Sequence, residues 1–264
     1  MNNVNKTLYI PLYGKAYVSR KGIILHDPKA EAIWASEGFP LKGKSKSKWL
    51  AYYMGMRSAV FDRWLKAQMT ADPTAVILHI GCGMDSRCLR VGDRGHLWFD
   101  IDFPDVIWER KRYYSESAQY HMLDADIRSE DWLSRIPSGN GIVVMEGVSM
   151  YLTPEELIQA MGRIASHFTA VSLLLDCYTV FAAKASKVKN PINDVGVTQV
   201  YGMDDPKLLR KSGFSFVKEH TMTPEDLIDR LPRVEKGIFR GLYAGSIGKK
   251  MYRLYEYSSK GAMV

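Results

Sequence analysis

The sequence predicts an α/β fold organised on a doubly wound, mostly parallel sheet, and two observations predict it. Residues 76–80 form a short apolar run that stops at Gly81-Cys82-Gly83, the pattern of a buried parallel strand passing into a glycine-bearing turn. About twenty residues further on, a second apolar run (Leu97, Trp98, Phe99, Ile101) carries two aspartates, Asp100 and Asp102. Strand, glycine turn, helix, strand and terminal carboxylate is a layout that binds an adenosine. The turn lets backbone approach the ligand, and the carboxylate accepts hydrogen bonds from ribose hydroxyls.

At 264 residues the chain suits one large α/β domain or two small ones, and it shows no clear linker or internal repeat. A hydrophobic content of 46% with 25% charged residues is that of an ordinary globular protein with a sizeable core. No apolar run is long enough to span a bilayer, and MNNVNKTLYIPLYGK offers no signal cleavage site. Three cysteines (Cys82, Cys88, Cys177) without metal-ligand spacing read as free thiols in a reduced, cytoplasmic compartment, with no metal. The net charge of +7 invites a nucleic-acid hypothesis, but the basic residues are mostly dispersed. The dense cluster Lys42, Lys44, Lys46 and Lys48 reads as a solvated loop.

Along the chain, residues 7–18 read as an extended start with Pro11 and Gly14, followed by at most a helical turn. Asp27-Pro28 opens a helix ending before Gly38. Residues 38–45 match a phosphate-loop pattern formally, but no strand precedes them, so the match reads as coincidence. Residues 49–69 form one long helix, with Trp49, Tyr53, Met56, Val60 and Trp64 as its apolar stripe. Arg57 lies on that stripe, and an arginine among buried aromatics needs an anion, for which a ligand carboxylate is a candidate. Pro104 opens the next helix, residues 120–123 make a third strand, and Asp124-Ala125-Asp126-Ile127-Arg128 closes it ahead of a segment starting at Ser129. Residues 142–145 are the fourth strand, ending in Glu146-Gly147. Thr153-Pro154-Glu155-Glu156 starts a helix that runs to about His167, and residues 170–175 are the fifth strand. Residues 178–203 lose the alternation and read as an insertion or lid. A helix near 206–211, a strand at 214–219, a helix from Thr223-Pro224 and a strand at 250–257 finish the chain, with a disordered tail. The two late strands point to an antiparallel hairpin at the sheet edge.

LHIGCGMDSRCLR, FDIDFPDVIWERK, DADIRSEDW and VMEGVSMYLTPEEL, in this order and spacing, resemble the leucine carboxyl methyltransferase family. TLYIPLYGKA and ILHDPKAEAI resemble its bacterial, polyketide-type O-methyltransferase branch. The resemblance implies a class I, Rossmann-like methyltransferase sheet, mostly parallel with an antiparallel last strand, and S-adenosylmethionine as methyl donor. It also implies a division into an N-terminal helical cap (1–70), a cofactor-binding core (71–176), a lid insertion (177–203) and the rest of the sheet (204–257). Residue by residue, it places Lys15 and Arg57 at the methionine carboxylate, Gly81 and Gly83 at the turn, and Asp102 with Asp100 at the ribose. Asp126 and Ile127 fall at the adenine, and Glu146 near the methionine ammonium or the sulfonium. His79, where many methyltransferases carry an acid, reads as a strand histidine, which leaves Glu146 as the ammonium partner.

Methyl transfer from a sulfonium is an in-line displacement, so alignment is the protein's main task. A carboxylate acceptor needs no general base, whereas a phenol does. No residue announces that base, and Tyr151 is the candidate for touching the acceptor. The reading is O-methylation of a carboxylate or hydroxyl of a small molecule such as a polyketide-like metabolite. A nicotinamide dehydrogenase would want a third glycine where Ser86 stands. A tRNA-type nucleic-acid methyltransferase and a non-catalytic S-adenosylmethionine-binding regulator remain as alternatives.

Overall fold

The structure, a computed structural model, describes residues 8–37, 43–186, 199–245, 248 and 250–260. The phosphate-loop-like stretch, half of the expected lid (187–198) and the last four residues of the expected tail lie wholly or mostly outside them, as does part of the lysine cluster.

Seven strands make one sheet: β1 (Val76–Ile80), β2 (Trp98–Asp102), β3 (Tyr120–Asp124), β4 (Asn140–Met145), β5 (Ala170–Tyr178), β6 (Ser215–Glu219) and β7 (Tyr252–Lys260). Their order is β3-β2-β1-β4-β5-β7-β6. The first five run parallel, and β7 pairs antiparallel with both β5 and β6. The strand order reverses between β1 and β4, and in an open α/β sheet the crevice beyond the carboxyl ends of such strands is where ligands bind. The helices are α1 (Tyr9–Arg20), α2 (Pro28–Glu37), α3 (Lys48–Ala71), α4 (Arg87–Val91), α5 (Pro104–Arg110), α6 (Pro154–His167), α7 (Val180–Ser186), α8 (Glu225–Ile228) and α9 (Arg233–Leu242).

Strand alternation sorts the core onto two faces. Ile77, Trp98, Ile142, Val144 and Leu174 pack with Phe61 and Leu65 of α3. Val76, Leu78, Ile80, Val143 and Leu173 pack with Leu157, Met161 and Ile164 of α6. The start of α6 is fixed by a capping box, with Thr153 Oγ1 accepting from Glu156 N and Glu156 accepting from Thr153 N.

Residues 9–20 are a full helix, not an extended segment with one turn. Pro11 falls in the first turn of α1, where a backbone N–H has no intrahelical partner to lose. Gly14 is there for contact: a Cβ on it would come within 2.7 Å of Met54 Cβ, so the missing side chain lets α1 lie close on α3. Gly55 does the same in reverse, with Val18 Cγ2 2.8 Å from its absent Cβ. The expected antiparallel pair forms at the sheet edge, with β6 outermost and β7 between it and β5, and a second helix, α9, stands beside the expected one between them in sequence. β7 continues to Lys260, beyond the expected end at Tyr257. The segments after Ser129 and near 206–211 form 3-10 turns, at Trp132–Arg135 and Leu208–Ser212. No helix among the described residues is long and apolar enough to cross a membrane.

Candidate functional site

The carboxyl ends of β1, β2 and β4 open onto a cavity of about 950 Å³. Lys15, Arg57, Gly81, Gly83, Asp102, Asp126, Ile127, Glu146 and Tyr151 all line it, although α1, α3 and the ends of four strands supply them. Asp100 alone of the expected site residues does not.

Gly81 and Gly83 turn the chain off β1 with φ of +67° and +49°, a region that favours glycine. At Gly81 space adds a second reason, because a Cβ would lie 2.1 Å from Val148 Cγ2. Both glycines line the cavity. Asp102, at the end of β2, braces this turn: its Oδ2 accepts from Gly83 N at 2.8 Å and its Oδ1 from Phe103 N at 2.8 Å. Burial pushes its carboxyl up to about 6, against the lowering effect of those two backbone donors. Asp126 sits half-buried at the end of β3 with its carboxylate held by Arg128, Nε to Oδ1 at 2.9 Å and Nη2 to Oδ2 at 2.5 Å. That side-chain pairing keeps its pKa below the usual carboxylate value.

Glu146 lies just past β4. Its Oε1 accepts from Arg57 Nε at 3.1 Å and Ser58 Oγ at 2.9 Å, and its Oε2 pairs with Arg87 Nη2. Burial would raise its pKa, but the Arg57 and Arg87 guanidiniums outweigh it and hold the carboxyl at about 2. Arg57 is itself 3% exposed and also donates from Nη1 to Asp176 Oδ2 at 2.9 Å and Tyr252 Oη at 3.3 Å. The anion that the sequence demanded for Arg57 is therefore first of all internal, and Nη2 is left without a hydrogen bond to any described residue. Lys15 reaches Asp85 Oδ1 at 3.2 Å, and Arg90 Nη1 meets the same oxygen at 2.6 Å.

These pairs belong to one ionic layer sandwiched between the sheet and α3, α4 and α5. Arg87 Nε bonds Asp62 Oδ1 at 2.8 Å, and Arg90 bridges Asp62 and Asp27. Asp100 is part of this layer, which corrects its expected place at the ribose. It is fully buried one step inside the sheet, where it pairs with Arg110 Nη2 and accepts from Tyr120 Oη at 2.6 Å and Trp98 Nε1 at 2.9 Å. His79 Nδ1 lies 2.9 Å from its Oδ1, and Arg87 Nη1 donates to His79 Nε2 at 3.2 Å. Burial lowers the His79 pKa, so the ring is neutral. Arg110 also holds the glycine turn, donating from Nη1 to Gly83 O at 2.8 Å and from Nη2, the nitrogen that meets Asp100, to Asp85 O at 2.7 Å. Asp100 thus acts on the glycine turn through Arg110 without lining the cavity.

Sequence reasoning missed Asp62, Asp85, Arg87, Arg90, Arg110 and Asp176. The one available signal was their charge within otherwise apolar blocks, since a charge on the core face of an element needs a partner. All three cysteines are buried and free, and no three or more His, Cys, Asp or Glu among the described residues are grouped to hold a metal.

A family model for leucine carboxyl methyltransferase matches residues 12–165. The chain is 26% identical over 263 residues to the tetracenomycin polyketide synthesis O-methyltransferase TcmP of Streptomyces glaucescens, covering 98% of this chain and 97% of that one. It is 30% identical over 190 residues to the S-adenosyl-L-methionine-dependent methyltransferase dpfgK of Gibberella zeae, covering 63% of this chain and 61% of that one. Among solved structures, magnesium protoporphyrin IX methyltransferase (ChlM) of Synechocystis PCC 6803 with bound SAH aligns with a TM-score of 0.51 at 15% identity, over 88% of this chain and 100% of that one. That last likeness is one of fold.

Proposed function

The chain belongs to the leucine carboxyl methyltransferase family, and on that premise we propose that it is an S-adenosylmethionine-dependent O-methyltransferase acting on a small-molecule carboxylate or hydroxyl. The observation that carries the reading is the gathering of Lys15, Arg57, Gly81, Asp102, Asp126 and Glu146 around one cavity at the strand-order reversal.

The donor set fits the cofactor group by group. Asp102 keeps a lone pair on each oxygen for ribose hydroxyls after its two backbone bonds. Gly81 and Gly83 bring backbone without side chains to the cavity, a surface suited to the methionine part, while Val148 fills the space beside Gly81. Glu146, held ionised, supplies negative charge for an ammonium or sulfonium, and Lys15 with the spare Nη2 of Arg57 suits a carboxylate. When bound, S-adenosylmethionine would supply an electrophilic methyl: the acceptor oxygen's lone pair would form the new O–CH3 bond while the C–S electron pair stayed on sulfur. The task left to the chain is positioning and exclusion of water. The cavity wall beyond the glycine turn is apolar and aromatic: Leu8, Ile10, Leu50, Met54, Met150, Tyr151, Tyr178 and Tyr243. None of these is a strong base at neutral pH, which favours an acceptor that arrives already ionised. The aromatic lining, and likeness to an enzyme named for tetracenomycin polyketide synthesis, favour a flat aromatic acceptor. A cytoplasmic setting is part of this proposal.

The test is release of S-adenosylhomocysteine in the presence of aromatic carboxylic acids, phenols and a tRNA transcript. Turnover with an aromatic acid is expected, and turnover with the tRNA alone would replace this reading by a nucleic-acid one. Donor affinity should also follow the charge on Asp102. Ribose hydroxyls donate better to the carboxylate than to the acid, so affinity for S-adenosylhomocysteine should rise with pH through about 6. Asp102→Asn should flatten this profile in calorimetric titrations. Stability of the free protein runs the opposite way. The folded pKa is raised above the ordinary 3.8, so the contribution present below that value is lost as pH rises through about 6.

A further inference from the structure

The strand order separates two ends of the cavity. Asp102 and Asp126 sit at the ends of β2 and β3, whereas Tyr178 and Tyr252 are a directly paired cross-strand couple at the far side, on β5 and β7. From β2 to β7 is four strand spacings, roughly 19 Å. Resting on the proposed function, we infer that Tyr252 is an acceptor-binding residue whose phenol O–H donates to the oxygen that receives the methyl group.

Three observations carry the assignment. The Tyr252 ring is fixed before any ligand arrives. It stands edge-on to Tyr178, with centroids 4.7 Å apart and an interplanar angle of 90°, and against Tyr53 at 6.2 Å and 63°. Tyr53 is tied in turn by its hydroxyl to Met222 Sδ at 3.4 Å. The Tyr252 oxygen is already an acceptor, taking a hydrogen bond from Arg57 Nη1 at 3.3 Å. Its own proton meets no acceptor among the described residues, while the residue lines the cavity together with Arg57, Glu146, Met150 and Tyr151. A donor polarised by a guanidinium and held rigid at the wall of an apolar chamber is suited to an oxyanion. Burial and the neighbouring Asp176 carboxylate raise the phenol pKa, so it stays protonated and able to donate. Arg57 links the two ends: its Nε holds Glu146 on the donor side and its Nη1 holds Tyr252 on the acceptor side. Positioning the acceptor oxygen and ordering the donor pocket therefore share one guanidinium.

The experiment compares wild type with Tyr252→Phe, which keeps the ring contacts and removes only the hydroxyl. Calorimetry measures S-adenosylhomocysteine affinity first, then the affinity of the S-adenosylhomocysteine-saturated protein for two probes, anthraquinone-2-carboxylate and the uncharged 2-methylanthraquinone. The expected result is unchanged S-adenosylhomocysteine affinity, unchanged 2-methylanthraquinone affinity, and carboxylate affinity lowered about 10- to 100-fold, the range for a hydrogen bond to a charged group. Equal carboxylate affinity in the two proteins would overturn the assignment. A parallel fall for 2-methylanthraquinone would reduce Tyr252 to packing, and a fall in S-adenosylhomocysteine affinity would make it a brace for Arg57; either result overturns it too. A wild type that binds S-adenosylhomocysteine but not the carboxylate overturns this inference alone. A wild type that binds no S-adenosylhomocysteine overturns the proposed function and this inference with it.

Discussion

Replacing Glu146 by alanine is expected to give the largest loss of both stability and donor binding. Glu146 is the shared acceptor of Arg57, Arg87 and Ser58, and its side chain is 4% exposed. Without it Arg87 keeps Asp62 and Asp85, and Arg57 keeps Asp176, so neither guanidinium is left without a carboxylate, but each loses its link across the layer. Removing one partner of a buried ion pair typically costs about 3–5 kcal/mol, and here two buried guanidiniums each lose one of their counter-charges at once. For a domain of this size that is a fall in melting temperature of roughly 6–20 °C. Glu146→Gln keeps the shape and an acceptor oxygen but not the charge, so it should fall between alanine and wild type. The pH dependence has a defined sign. Glu146 is held at about 2, below its ordinary 4.5, so the stability it contributes is present above 4.5 and lost as pH falls toward 2. Thermal denaturation of wild type and both variants between pH 7 and the acid limb checks each part. A Glu146→Ala protein as stable as wild type would show that the layer around it is not a coupled unit.

The second large effect is expected at Asp100, and it should divide stability from binding. Asp100→Asn withdraws the carboxylate from Arg110, which is completely buried and has no other acidic partner among the described residues. The same change disturbs the Tyr120, Trp98 and His79 bonds. A loss of about 3–5 kcal/mol is expected again. Burial would raise the Asp100 pKa, but Arg110 and His79 bring it down to about 2, so its contribution is present above the ordinary 3.8 and lost as pH falls through 2. Asp102→Asn should do the reverse, leaving stability near wild type at neutral pH and weakening S-adenosylhomocysteine binding. If the Asp100 variant, where still folded at low temperature, binds at least tenfold more weakly while the Asp102 variant binds normally, the two roles have been assigned the wrong way round.

Why Asp100 and Asp102 invited the same reading is clear from the strand. They are two residues apart and so share a face of β2, and alternation cannot tell them apart. Depth does: Asp102 stands at the rim, where the backbone leaves the sheet, and Asp100 stands one pair inside it. Depth depends on where the neighbouring strands end, which one chain's pattern does not reveal. The central strands were legible because apolar runs bounded by turn residues are a local signal, and so was the start of α6 with its threonine cap and proline. Helix α1 was not, because Pro11 and Gly14 look like breakers unless the first-turn position of the one and the Met54 contact of the other are known. Helix α9 was hidden for a related reason. It is held from a distance, with Lys48 Nζ bonded to Glu235 Oε1 at 2.7 Å and Tyr243 stacked on Trp49 at 5.7 Å.

The cavity itself could be anticipated from strand ends and glycines, since those features are close in sequence to the surfaces they build. The ionic layer beneath it could not. Asp27 meets Arg90 across 63 residues and Arg57 meets Glu146 across 89, and no spacing rule connects such pairs. The layer explains why so many charges tolerate burial next to a ligand cavity: each is paired before a ligand enters, so the floor of the site is set in advance. What the layer contributes is that fixed geometry, because buried ion pairs often fail to exceed their own desolvation.

The central claim is that one cavity at the carboxyl edge of the sheet receives a sulfonium nucleoside through Asp102, Glu146 and Arg57. Isothermal titration of S-adenosylhomocysteine into wild type and Asp102→Asn tests it most directly. One saturable site in wild type, weakened tenfold or more by the substitution, is the expected result. No binding to folded wild type, or equal binding to both proteins, would contradict it.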